Sequence, residues 1–158
     1  MKQVLLRRGQ IEVVEVPVPL IEPGYVLVEV AYSLISSGTE IGAIGGAGKS
    51  LIKRAIEKPD KVMELMEHLH HHGVKKTVAR VRSKVDVGNP LGYSCSGIVI
   101  QVGEGITDIR PGDRVACAGA GVANHAEIGH VPRNLVVKVP EDCDLKAAAS
   151  MTLGAIAL

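Results

Sequence analysis

Gly92–Gly119 reads GYSCSGIVIQVGEGITDIRPGDRVACAG. It opens with an apolar run, SGIVIQV, and closes with a shorter one, RVACA. Runs of this length, rich in β-branched residues and bounded by Gly and Pro, read as strands. Between them stand Gly103, Gly105, Pro111 and Gly112. Gly103 and Gly105 are expected to take positive φ at a sharp corner, and Pro111-Gly112 to set a tight turn before the chain re-enters the sheet.

The same texture extends both ways. Downstream, HAEIGHVPRNLVVKVPED (His125–Asp142) offers two more strands, with a turn around Asn134. Upstream, QVLLR and IEVVEVPVP flank a turn at Arg8-Gly9, and Glu22-Pro23-Gly24 makes another turn. YVLVEVAYSLI then alternates almost perfectly, as a half-buried strand does. Residues 38 to 88 break this texture. LIKRAIEK is a short helix ended by Pro59. PDKVMELMEHLHHHG places Val62, Leu65, Met66 and Leu69 at helical spacing, and VKKTVARVRSK is a basic amphipathic helix. At the far end Asp144 is placed to cap an Ala-rich helix, LKAAASMTLGAIAL. That helix stops while still apolar, which is the expectation for a piece of a longer protein. The reading is one domain, 1–158: mainly β with helices, a β-barrel split by a helical insertion and closed by a C-terminal helix.

Composition removes several function classes. With 18 basic and 17 acidic residues, nothing steers the chain toward nucleic acid or anionic lipid. There is no Phe or Trp, so aromatic base-stacking platforms are missing. No apolar run approaches the ~20 residues that cross a bilayer. Cys95, Cys117 and Cys143 are too few and too scattered for a disulfide framework, which suits reduced thiols in a cytoplasm.

Ala43–Ser50, AIGGAGKS, fits the spacing of a phosphate-binding loop. Such a loop needs a buried strand before it and a helix after it. Here SSGTEIG intervenes after the nearest strand, and no strand–helix alternation supplies a parallel sheet. A Gly-rich hinge is the simpler reading, and a nucleotide binder is kept as an alternative. His68, His70, His71 and His72 form another cluster. His68 and His72 share a helix face, but a solvated helix end, favoured by the dipole, is the plainer account.

The ordered set of a strand closing on Gly97 and Gly103, VGEGITDIRPGDRV, and HAE before a VP turn and KVPED resembles a known family. It is that of the GroES-like catalytic domain of the medium-chain dehydrogenase/reductase superfamily, which includes the zinc alcohol dehydrogenases. The resemblance spans residues 1–36 and 89–158. SLISSGTE stands where the family carries its first active-site loop. Inserts with GKxSLIxKA-like and PDKV-like stretches are similar to those of two-part bacterial oxidoreductases, a dehydrogenase joined to a sugar-oxidoreductase-like half.

The resemblance implies hydride transfer between NAD or NADP and a carbonyl or alcohol. Residues 144–158 would begin the linker to an absent nucleotide-binding domain. No Gly-x-Gly-x-x-Gly follows a strand in this sequence, so the fragment alone is expected to be inactive. Zinc members use Cys, His, and Cys or Glu at three positions, where this chain has Ser37, Tyr93 and the Met151-Thr152 pair. These are poor zinc donors, and no zinc is expected. The residues left to act are Thr39 as a relay hydroxyl, Tyr93 as a proton donor, Ser37 as a hydrogen-bond partner of the reacting oxygen, and Glu40 as an orienting group. His125 and His130, in strand-like sequence, read as structural. The implied partner is a small molecule, sugar-like by analogy, and self-association is left open. The rival to an enzyme is a non-catalytic GroES-like binding or assembly module.

Overall fold

The computed structural model describes residues 1–7, 9–38, 40 and 88–158. Most of the 38–88 insertion, including Ala43–Ser50 and His68–His72, lies outside the described residues, as does Thr39. Met1–Leu5, Val13–Ser36 and Pro90–Leu158 form one compact unit. The remaining described residues, 6–7, 9–12, 37–38, 40 and 88–89, belong to a second.

Among the described residues there are eight strands: β1 (Lys2–Arg7), β2 (Gln10–Glu15), β3 (Tyr25–Ser33), β4 (Asn89–Pro90), β5 (Ser94–Val102), β6 (Arg114–Ala118), β7 (Ile128–Pro132) and β8 (Val136–Lys138). β3, β5, β6, β7 and β8 make a five-stranded sheet in the order β7-β3-β5-β6-β8, and the pairs β3–β5, β3–β7, β5–β6 and β6–β8 are antiparallel. A second sheet has the order β2-β1-β4. Two helices close the chain, α1 (Leu145–Ala148) and α2 (Met151–Ala157). This mainly β architecture with helices is the expected fold class.

The stretch that opened the sequence reading forms the β5–β6 hairpin. Gly105 and Gly112 do take positive φ, at 88° and 91°. Gly103 does not, and its reason is different. A Cβ there would overlap the carbonyl oxygen of Glu22, so only glycine admits the chain that crosses it.

The core lies under this sheet. Val26, Val28, Val99, Val115 and Val131 are fully buried, and Ile109 packs with them. Without Phe or Trp, the sheet fills its interior with β-branched aliphatics, each worth about 1.5–3 kcal/mol on full burial. Val26, Leu27 and Val28 are buried in succession, which strict alternation forbids. The register against β5 shifts between Leu27 and Val28, and again at Ala31, so β3 re-aims its side chains there.

β5 is buried along Ser94–Gly97, facing the core on one side and the closing helices on the other. Ser94 Oγ donates to the Ala149 carbonyl at 2.7 Å, and Ser96 Oγ to the Leu145 carbonyl at 2.5 Å. These bonds satisfy both buried hydroxyls and fasten α1 to the sheet. Asp144 caps α1 as expected, accepting from the Lys146 amide at 3.0 Å. The helix expected to run on from it is broken instead. Ala149 and Ser150 turn, and α2 starts afresh.

Candidate functional site

Antiparallel pairing gathers three strand ends at one place. β3 ends at Ser33, opposite Cys95; β5 begins at Ser94; β6 ends at Ala118, opposite Ser94. The Leu34 amide donates to the Ser94 carbonyl at 3.0 Å, and the Gly119 amide to the Tyr93 carbonyl at 2.8 Å. Tyr93 is therefore held by its backbone at the mouth of the sheet, with a half-buried side chain. α2 packs against β5 and β6 at this same end. It brings Thr152, whose Oγ1 is buried and lacks a hydrogen-bond partner.

A second polar pair stands beside Tyr93. His125 Nδ1 and Ser33 Oγ are 2.9 Å apart, and both residues are half-buried. The His125 amide donates to the Leu91 carbonyl at 2.8 Å, pinning the histidine against Leu91-Gly92. Gly92 has φ of 95°. A Cβ there would meet His125 N at 2.8 Å and Nδ1 at 3.0 Å. A glycine next to Tyr93 is thus what admits the imidazole. The ring forms part of an open groove of about 320 Å³, shared with Tyr32, Ser33 and Glu127. The Glu127 carboxylate accepts from the Lys2 amide at 2.7 Å.

Of the residues expected to act, Tyr93 lies in the first unit, where the strand ends meet. Ser37 and Glu40 belong to the second, in helical backbone. Ser37 is exposed and Glu40 is buried. His125, read from sequence as structural, falls in a loop rather than a strand and makes a polar contact with Ser33 at the end of β3. No sequence signal set it apart from His130. His130 does sit in β7, stacked on Tyr25 with ring centroids 4.4 Å apart. It helps line a separate cleft of about 550 Å³ with Asn124 and Glu22. Cys95 does not face a cleft. It is fully buried opposite Cys117 on β6. The bond between them pushes the Cys117 thiol far up, reinforced by burial, and lowers that of Cys95.

Two groups follow from the resemblance and can be tested against these residues. Among the described residues, no three His, Cys, Asp or Glu side chains come together. The donors at the zinc-ligand positions are hydroxyls and a thioether, which do not fit zinc. A dinucleotide needs a glycine-rich turn that runs into a helix N-terminus. Among the described residues, the glycines with positive φ lie in turns or loops, and α1 and α2 start after Asp144 and Ser150 without one. No glycine-rich turn among the described residues runs into a helix N-terminus.

No family model matches the chain. A reducing polyketide synthase, PKS1 of Cochliobolus heterostrophus, is 33% identical over 101 residues. The match takes in 60% of this chain and 4% of that protein. The highly reducing polyketide synthase phiA of a fungal species is 34% identical over 77 residues, 48% of this chain and 3% of its own length. This chain is thus a small fraction of the curated relatives it matches. Among solved structures, the CurK enoyl reductase superposes with a TM-score of 0.64 at 16% identity, covering 96% of this chain and 39% of that one. Galactitol-1-phosphate dehydrogenase from Escherichia coli gives 0.65 at 22%, covering 96% and 41%. Escherichia coli quinone oxidoreductase complexed with NADPH gives 0.64 at 15%, covering 95% and 36%. At these identities the likeness carries the fold. The chain has the fold of the GroES-like part of medium-chain dehydrogenase/reductase proteins, the family its sequence resembles.

Proposed function

We propose that this chain is the substrate-binding part of a nicotinamide-dependent, zinc-independent oxidoreductase acting between a carbonyl and an alcohol. The observation that carries the reading is the meeting of β3, β5 and β6 at Tyr93, with the Ser33–His125 pair alongside. A phenol and an imidazole at one sheet end are groups that can exchange a proton with a reacting oxygen. Tyr93 Oη is the donor to that oxygen. Ser37, Thr39 and Glu40 keep the roles that the resemblance gives them. The hydride comes from NADH or NADPH, whose phosphates need a second domain. The solved neighbours include a dehydrogenase of a sugar alcohol phosphate and a reductase bound to NADPH, which supports both the chemistry and a sugar-like substrate. A cytoplasmic location belongs to the same reading.

The test follows NADH and NADPH oxidation by the full-length gene product with aldehydes, ketones and sugar aldehydes. Tyr93→Phe is expected to lower kcat about 100-fold or more. The 158-residue chain alone is expected neither to bind nor to oxidise either cofactor. Saturable binding of NADPH to the isolated chain contradicts this division of labour.

A second reading, reduction of an activated alkene, is favoured by the CurK enoyl reductase and by the polyketide synthase matches. Turnover of a crotonyl thioester in preference to any aldehyde decides for it.

A further inference from the structure

The geometry points to a role for His125 that rests on the reading above: it is a proton-exchanging residue of the substrate groove, and Ser33 is its positioning residue. Four features support this. Ser33, the last residue of β3, holds Nδ1 of the ring at 2.9 Å. Leu91 holds its amide. Gly92, by lacking a side chain, leaves the space the ring occupies next to Tyr93. The groove brings solvent to the ring.

The half-buried His125 lies at an open groove, and its Nδ1 shares a hydrogen bond with the Ser33 hydroxyl. Binding one ring nitrogen is how a protein sets which nitrogen carries the proton and where the other points. Two charged side chains belong to the same groove, Glu127 and Lys2, and Tyr32 is its phenol.

The proton balance is simple. When a carbonyl carbon accepts hydride, supplied by reduced nicotinamide, its oxygen takes the proton of Tyr93 Oη, and the His125 imidazolium returns a proton to the phenolate. The neutral imidazole then regains one from water. Oxidation of the alcohol runs the same transfers backwards. The groove, about 320 Å³, is at the small end of ligand sites, which suits a compact carbonyl compound.

The test uses the full-length gene product with NADPH or NADH and three probes: benzaldehyde, glyceraldehyde and 1,4-naphthoquinone. His125→Phe keeps a ring of similar size but cannot exchange a proton, and His125→Asn is the second variant should Phe fail to fold. Each is expected to lower kcat about 100-fold, with KM changed less than threefold. Each should also remove one limb of the pH–rate profile. Ser33→Ala should cost less, about tenfold, and Ser33→Thr should restore the loss. Independently of turnover, ¹⁵N-histidine spectra of the 158-residue chain should show one dominant His125 tautomer in the wild type and a changed ratio in Ser33→Ala. Wild-type kcat and an unchanged pH profile in His125→Phe overturn the role while leaving the oxidoreductase reading standing. An unchanged tautomer ratio in Ser33→Ala overturns the positioning by Ser33. A wild-type protein that oxidises neither cofactor with any probe overturns the oxidoreductase reading, and the role falls with it.

Discussion

Replacing Gly92 with alanine tests the architecture at the candidate site without touching a chemical group. Two costs can be separated. The first is conformational: φ of 95° is hard for any residue with a Cβ, at about 1–2 kcal/mol. The second is steric. The new methyl would stand 2.8 Å from His125 N and 3.0 Å from Nδ1, with the Asn124 backbone carbon at 3.1 Å. Two of these neighbours are backbone, so the loop itself must shift. Doing so strains the His125–Leu91 amide bond and the Ser33–His125 bond, each worth about 1 kcal/mol. The expected total is about 3 kcal/mol.

Gly24→Ala is the control, because Gly24 has φ of 77° and nothing within 4 Å of the added Cβ. It should show the conformational cost alone. Urea unfolding of the two variants measures the difference, expected at about 2 kcal/mol, or a separation of about 4–8 °C in Tm. Equal destabilisation would refute the claim that Gly92 is required by the imidazole. So would a Gly92→Ala spectrum in which the His125 ring signals have not moved.

Other consequences are separable. Ser96→Ala removes one of two hydrogen bonds on the Leu145 carbonyl, which keeps the Ala149 amide, and should cost about 0.5–1.5 kcal/mol, with the amides of α1 losing hydrogen-exchange protection first. In the native chain a thiol reagent should titrate Cys143 quickly, while Cys95 and Cys117 react only on unfolding, since both are fully buried. A fast second thiol would refute the packing of the β5–β6 pair. The Arg133 guanidinium beside Asp108 holds its carboxyl below the usual carboxylate range. That contribution is complete above the unfolded value near ~3.9 and is lost as pH falls through the lower folded value. Stability of Asp108→Asn, measured from pH 5 to pH 2, should therefore fall less steeply than that of the wild type.

Local chemistry made much of the fold legible. Apolar runs between Gly and Pro marked β3, β5, β6 and β8, because strand and turn formation depend on residues close in sequence. Asp144 was readable as a cap because a cap bonds an amide two residues away. Tyr93 is singled out by the resemblance alone, as the residue at a ligand position of its motif. What stayed hidden depends on distant partners. Gly103 looks like a turn glycine, yet its small size is demanded by the Glu22 carbonyl, some eighty residues earlier. Ser94 and Ser96 look like ordinary strand residues until α1 and the turn after it supply their acceptors. His125 and His130 carry the same side chain in similar surroundings along the chain. Only the tertiary structure separates them, because strand pairing delivers Ser33 to one and Tyr25 to the other, and a hydrogen bond or ring contact across about a hundred residues leaves no periodicity to read.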